Sequence, residues 1–386
     1  MQRRALLKGV AGALMFSGVA ACSAQSGTVA ANTSAIAITR VDGDGQKFIA
    51  VAVQFTEPIA TAKLSAAAFT VDGRTVTKVY ANTAAAVAEQ GADGRFVIVE
   101  LSPDDEGAAL WTPASGGAAP KITMAATSVT KVGAVTAVSG TVFEPTDTAV
   151  PVSSVVSPIV DDFKQLSFAD PATGQTLPYN LFVPKGYDPA KAYPLVLYLH
   201  GASVAGAGAK GALVQGLGAV AWASPADQAK NPAFVLAPQY ATAASGDAGT
   251  TLNLLTALTG QYNLDKSRRY VTGQSTGATM ALGITAAHPD LFAAAYVVAG
   301  RWPATLPKKP LWVLADEGAT PASPSPAAHA TWPSTATATD VAALEAKKAT
   351  VNVVGITGGS AEQVAYTLPG IREWIMKQAT APTRAQ

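Results

Sequence analysis

Arg269-Tyr270-Val271-Thr272-Gly273-Gln274-Ser275-Thr276-Gly277-Ala278-Thr279-Met280-Ala281 is the stretch whose reading decides the fold. It holds Gly273-Gln274-Ser275-Thr276-Gly277, a G-x-S-x-G. Tyr270 and Val271 before it read as a short buried strand. Met280, Ala281, Ile284 and Ala287 after it recur at helical spacing until Pro289. Strand, tight turn and helix is the context in which a serine is held clear of a sheet as a nucleophile. The glycines let the backbone bend sharply and let neighbouring elements come close. The N–H groups that open the helix then face any oxyanion formed at the serine. The plain alternative is a serine in an ordinary strand-to-helix turn.

Working outward, the surrounding sequence alternates strands and helices. Phe163–Phe168 and Leu177–Val183 form a predicted hairpin around Pro171-Ala172-Thr173-Gly174. Tyr193–Leu199 is nearly continuous apolar sequence, the mark of a central parallel strand, and runs into His200-Gly201-Ala202-Ser203. Ala233–Ala237 is a second buried strand. Leu254, Leu255, Leu258 and Tyr262 mark a helix before the serine strand. Tyr296–Val298, Leu311–Ala315 and Val351–Ile356 complete the strands, and Ile371, Trp374 and Ile375 place a closing amphipathic helix. This alternation predicts a parallel α/β sheet, whose ligands sit at the carboxyl ends of its strands. His200-Gly201, Ser275, Asp316 and the loop after Ile356 all fall at such ends.

Acyl transfer by serine needs a nucleophile, a base, an acid that orients the base, and an oxyanion hole. Ser275 is the candidate nucleophile. Thr276 N–H and an amide from the loop after Tyr193–Leu199, Ala202 or Ser203, are the candidate oxyanion donors. His200 reads as a residue that shapes the loop. Asp316 is the candidate acid; it and Glu317 follow the strand ending near Ala315, and either could be a solvated loop charge. The chain has three histidines, and the loop from Thr357 to Gln363, where the base belongs, has none. His288 ends the helix after Ser275, away from the expected mouth of the site. His329 lies in a predicted long loop from Gly318 to Thr339. It is the candidate base if that loop folds over Ser275, and a surface residue otherwise.

The N-terminal half reads differently. Residues 1–22 form a predicted export signal: Arg3 and Arg4 resemble a twin-arginine n-region, and the apolar stretch after them is too short to span a membrane well. Val19-Ala20-Ala21-Cys22 looks like a bacterial lipobox, which predicts cleavage before Cys22 and lipid on its sulfur. The alternative is a small residue near an ordinary cleavage site. Cys22 is the sole cysteine, so the mature chain holds no internal disulfide. Residues 23–33 read as a tether. Residues 34–144 carry short alternating runs such as Phe48–Phe55 and Phe96–Leu101, separated by turns such as Asp42-Gly43-Asp44-Gly45. They predict a β-sandwich of immunoglobulin-like form. Residues 145–158, with Pro151 and Pro158, are the predicted linker, and 159–380 the catalytic half. A net charge of +1 with 14% charged residues gives no electrostatic case for nucleic acid.

Taken together, these features resemble the bacterial α/β-hydrolase esterases with an immunoglobulin-like N-terminal domain. The resemblance rests on several separated motifs in order. Asp42–Lys47 and Gly73–Asn82 look like that group's N-terminal domain. Gly218–Trp222, Phe234–Gln239, Tyr270–Ser275, His288–Ala294 and Tyr366–Trp374 look like its hydrolase half. The resemblance implies an α/β-hydrolase fold and hydrolysis of carboxylic esters, or of peptide bonds, through Ser275. It implies a small-molecule or oligomeric ester substrate, and no metal or other cofactor. The chain departs from the family pattern twice. Asp316-Glu317-Gly318-Ala319 has alanine where the family has aspartate, and the family histidine before the Tyr366-Thr367 motif is missing. The segment Ala330-Thr331-Trp332 beside His329 looks like a family stretch that is not catalytic. Three expectations follow: an exported, lipid-anchored serine esterase of the cell envelope with a rearranged triad; a degenerate relative that binds a ligand or envelope partner in the same cleft; or a structural protein that binds through its sandwich.

Overall fold

Short β-branched runs interrupted by Asp-Gly turns build the N-terminal half of the molecule. The computed structural model describes residues 32–242, 247–301, 310–316, 328–333, 351–357 and 360–380. The predicted signal with Cys22 therefore lies outside the described residues, as does nearly all of the tether. The first strands are β1 (Asn32–Asp42), β2 (Gly45–Ile59), β3 (Phe69–Val71), β4 (Val76–Asn82) and β5 (Gly94–Leu101). There follow β6 (Trp111–Thr112), β7 (Lys121–Ile122), β8 (Ser128–Lys131), β9 (Val135–Thr136), β10 (Val142–Phe143) and β11 (Val150–Val156). Seven of them join in the order β3-β8-β11-β1-β2-β5-β4. The β1–β2 hairpin turns on Gly43-Asp44, with Asp42 opposite Gly45, as its Asp-Gly composition predicts.

Strand β11 occupies the segment predicted as linker. It runs parallel to β1, with Ala37 opposite Val155, and starts antiparallel to β8 at Val150 and Pro151. Its valines favour extended backbone, and proline is tolerated at the beginning of a strand. Val150–Val156, inside the predicted linker, thus pair with the sandwich strands.

The second half contributes β12 (Lys164–Ala169), β13 (Thr176–Phe182), β14 (Tyr193–Leu199), β15 (Phe234–Pro238), β16 (Leu264–Gln274), β17 (Ala294–Val298), β18 (Leu311–Asp316), β19 (Ala328–Pro333) and β20 (Val351–Thr357). They form one sheet in the order β12-β13-β15-β14-β16-β17-β18-β20-β19. β13 pairs antiparallel with both β12 and β15, and the pairs from β15–β14 to β20–β19 are parallel. This is an α/β-hydrolase fold preceded by an immunoglobulin-like sandwich. Period-2 alternation splits the core into two layers. Leu195, Leu197 and Leu199 of β14 pack into one, while Val196 and Tyr198 pack into the other.

The two halves share a core. Val41 and Trp111 of the sandwich are buried in the same cluster as Val160, Phe182 and Tyr198 of the hydrolase half. Gln46 donates to Thr39 and Ser157, and Thr39 donates to Ser157, in a buried knot. Gly43 lies so close to Gln363 that a Cβ there would stand 2.0 Å from the Gln363 carbonyl oxygen. The Ala114 amide donates to the Ser203 carbonyl at 3.0 Å, linking the sandwich to the loop after β14.

Candidate active site

Ser275 stands between the last residue of β16 and the first of α5 (Thr276–Ala287). Its backbone takes φ 54° and ψ −117°, which crowds the Cβ of any residue but glycine. The surroundings hold it there. Its amide donates to Val298 at 2.8 Å, and its carbonyl accepts from the Thr279 amide at 3.0 Å and the Thr279 hydroxyl at 3.2 Å. The flanking glycines permit the bend by close approach. A Cβ at Gly277 would lie 2.1 Å from the Leu199 carbonyl oxygen, and one at Gly273 would lie 2.7 Å from the Gly277 backbone. Beneath the serine, buried Gln274 is tied on both sides. Its side-chain Oε1 accepts from the Tyr198 hydroxyl at 2.7 Å and Gln215 Nε2 at 3.1 Å, and its Nε2 donates to the Glu362 backbone carbonyl at 2.8 Å.

A cleft of about 640 Å³ opens over this turn, and Ser275, Thr276, Gly277 and Gly201 line it. Ser275 is half-buried there and Thr276 exposed. Thr276 begins the helix, so its N–H has no partner in the helical ladder and lies at the positive end of the helix dipole. Across from it, Gly201 is close enough that a Cβ would touch the Ser275 Cβ at 3.3 Å. Ala202 and Ser203, the predicted donors, open the short 3₁₀ turn Ala202–Val204 directly after Gly201. Thr276 and Gly201 line the cleft, whereas Ala202 and Ser203 are not among its lining residues. Glycine at 201 had a legible signal, the His-Gly pair after an apolar strand.

The histidines divide clearly. His200 is buried, and both ring nitrogens are engaged. Nδ1–H donates to the Gly201 carbonyl at 2.8 Å, and Nε2 accepts from the Tyr240 amide at 2.9 Å. These partners fix the neutral tautomer, because a carbonyl can only accept and an amide N–H can only donate. Burial pushes the pKa of His200 down to about 4, against a smaller opposing effect of the Gly201 hydrogen bond. His200 therefore ties the loop after β14 to the end of β15, the loop-shaping part expected of it. His288 is exposed beyond the far end of α5, about 20 Å along the helix from Ser275 at 1.5 Å per residue.

The expectation for His329 is corrected. It lies in β19, not in a loop, and pairs with Val353 of β20. Val353 is level with Val313, Val313 with Val297, and Val297 with Gly273. Four strand spacings of about 4.8 Å then put the backbone of His329 roughly 19 Å from the serine strand, and it lies below the carboxyl edge of the sheet. The structure does not bring it to Ser275. Asp316 ends β18, opposite Ile356. Its backbone is at the carboxyl edge, two strands from β16; Glu317 lies outside the described residues. Among the described residues, no imidazole or carboxylate is hydrogen-bonded to the Ser275 hydroxyl, and no three His, Cys, Asp or Glu side chains converge on a metal site.

With this geometry in view, the comparisons are specific. The Esterase family model matches residues 171–384, more than half the chain. The chain belongs to the Esterase family. Residues 34–144 match the esterase Ig-like N-terminal domain. A solved thermostable esterase shares 28% identity with this family member over 90% of the chain and 100% of its own length, with a TM-score of 0.77. Shorter matches include two fungal proteins. One is the "Probable acetylxylan esterase A" of Neosartorya fischeri, 46% identical over 55 residues, which are 14% of this chain and 15% of that protein. The other is acetylxylan esterase A of Aspergillus oryzae, 44% identical over 55 residues, 14% of this chain and 18% of that protein. The chain thus spans less than a fifth of the length of the curated relatives it matches.

Proposed function

We propose that the chain is a serine hydrolase of carboxylic esters. The single observation that carries the reading is the backbone of Ser275, held in a strained turn at the head of a helix and facing a cleft. In the proposed reaction the Ser275 hydroxyl oxygen attacks the ester carbonyl carbon and the carbonyl π electrons move onto oxygen. The Thr276 amide and an amide of the Gly201–Ser203 loop receive that charge. Collapse re-forms the carbonyl, breaks the bond to the alkoxy group and releases the alcohol with the serine proton. Water then cleaves the acyl-serine to the acid and restores the hydroxyl. Asp316 is the candidate for orienting a base.

The proton step is where this chain differs from a complete triad. Loss of a positioned general base typically costs ~10²–10⁴-fold in rate, so turnover on simple esters is expected to be slow. The test is hydrolysis of para-nitrophenyl acetate by the native chain and by Ser275→Ala. The reading predicts saturable activity that the variant loses; equal rates for the two would refute it. A second reading, ligand binding in the same cleft without turnover, draws support from the Ser275 hydroxyl having no imidazole partner among the described residues.

The substrate class we propose is a small-molecule or oligomeric ester. Similarity over 55 residues to acetylxylan esterases makes acetylated sugars the first compounds to assay. We also propose, on the sequence around Cys22, that the chain is exported and anchored in the cell envelope by lipid. Radiolabelled palmitate incorporated by the native chain and not by Cys22→Ala supports this. Equal incorporation, or none, contradicts it.

A further inference from the structure

Arg301 stands three residues past the end of β17, the strand beside the one that carries Ser275, and its backbone is fixed at three successive points. Ala299 adopts φ 52° and donates its amide to Leu314 at 2.8 Å. Gly300 sits against α5 so closely that a Cβ there would stand 2.6 Å from the Cβ of Ala278. The Arg301 amide accepts no freedom either, since it donates to the Thr279 hydroxyl at 2.9 Å. Thr279 is the residue whose amide and hydroxyl also bind the Ser275 carbonyl. The segment that presents Arg301 is therefore clamped to the same helical turn that presents the serine.

Both side chains line the same cleft. Its remaining described lining is neutral: Tyr240, Thr242, Met280 and Ile284 are uncharged, and His200 is held neutral by burial and by its two hydrogen bonds. Among the described residues, Arg301 carries the only formal charge in the lining, and no carboxylate pairs with its guanidinium. Asp247, next to the lining residue Ala248, does not itself line the cleft. The sequence that follows, 302–309, contains no Asp or Glu. A guanidinium with no counter-ion among the described residues, on a backbone tied to the helical turn that presents the nucleophile, offers a planar fork of donors to an anion.

We infer that Arg301 selects esters that carry a carboxylate a few atoms beyond the scissile carbonyl. The inference deepens the serine-hydrolase reading and rests on it. The ester carbonyl would meet Ser275 while the carboxylate of the same molecule pairs with the Arg301 guanidinium. Monoethyl adipate and ethyl hexanoate form a matched pair of probes, differing by a carboxylate in place of a terminal methyl.

The test is the ratio of kcat/KM for monoethyl adipate to that for ethyl hexanoate, followed by acid release, in the native chain, Arg301→Gln, Arg301→Lys and Arg301→Glu. A charge-assisted pair of this kind predicts a ratio about tenfold higher in the native chain than in Arg301→Gln. Arg301→Lys should recover part of it, and Arg301→Glu should fall below Arg301→Gln. Raising the salt to about 0.5 M should shrink the native preference, because the partners meet in a solvent-open cleft. The same ratio in the native chain and Arg301→Gln would overturn the inference while leaving the hydrolase reading intact. Should neither ester be turned over, the para-nitrophenyl acetate comparison with Ser275→Ala still decides the hydrolase reading, and calorimetric binding of monoethyl adipate decides the subsite. Weaker binding to Arg301→Gln would uphold it and equal binding would overturn it.

Discussion

At Ser275 the chain accepts a backbone conformation that its own side chain disfavours, at a cost of about 1–3 kcal/mol for such a residue. The hydrogen bond its amide donates to the Val298 carbonyl and the two its carbonyl accepts from Thr279 hold it there. His200 shows a second residue whose environment sets its chemistry. Unfolded, its imidazole would protonate near pH 6.5; folded, burial holds the pKa at about 4. Between these values the unfolded chain binds the extra proton, so stability present above pH 6.5 is lost as pH falls toward 4. A shift of this size corresponds to about 3 kcal/mol. Urea midpoints measured from pH 7 to 4 should therefore fall more steeply for the native chain than for His200→Gln, and parallel curves would contradict the assignment. The serine and the loop-shaping histidine were legible in the sequence, because G-x-S-x-G and His-Gly each follow an apolar strand. Arg301 was not. Its place depends on a fold-back of Ala299 and Gly300 against α5 that leaves no periodic trace.

Among elements, the packing of β14 against the first turn of α5 is the tightest part of the site. At Gly277 a Cβ would meet the backbone carbonyls of both Leu199 and His200, at 2.1 and 2.6 Å. Neither is a flexible side-chain end that could swing aside. Gly277→Ala is expected to destabilise the fold by about 3 kcal/mol or more through overpacking, seen as a lowered unfolding midpoint, whereas Gly283→Ala, with open space around it, should not destabilise. Equal midpoints for the two variants would refute the packing argument. The apolar strands β14, β15, β17 and β18 and the mostly apolar β20 were readable from composition, whereas of β16 only the buried end around Tyr270 and Val271 was, because Asp265–Arg269 is polar. Two strands were not. Pro151 made β11 look like a linker, although only the start of the strand holds the proline. β19, Ala-His-Ala-Thr-Trp-Pro, has no apolar run, and its alternation rests on two small alanines with a single β-branched residue, a weak strand signal; it gains strand geometry by pairing with β20. That pairing is what removes His329 from the site.

On the scale of the whole molecule, the sandwich is part of the scaffold of the cleft. Through Ala114 it holds the Ser203 carbonyl, two residues from Gly201, and through Gly43 it abuts Gln363, beside the Glu362 carbonyl that anchors Gln274. Ala114→Pro removes the N–H donor. It should loosen the loop after β14 and lower esterase turnover by about fivefold, the equivalent of one net hydrogen bond of ~1 kcal/mol, measured as kcat on para-nitrophenyl acetate. Unchanged kcat would show that the sandwich does not support the loop. The central claim concerns Ser275 itself, and covalent labelling tests it most directly. A fluorophosphonate probe incubated with the full chain, followed by peptide mass spectrometry, should place one adduct on the peptide containing Ser275 and none on Ser275→Ala. No adduct on the native chain, or an adduct that survives the substitution, would contradict the claim.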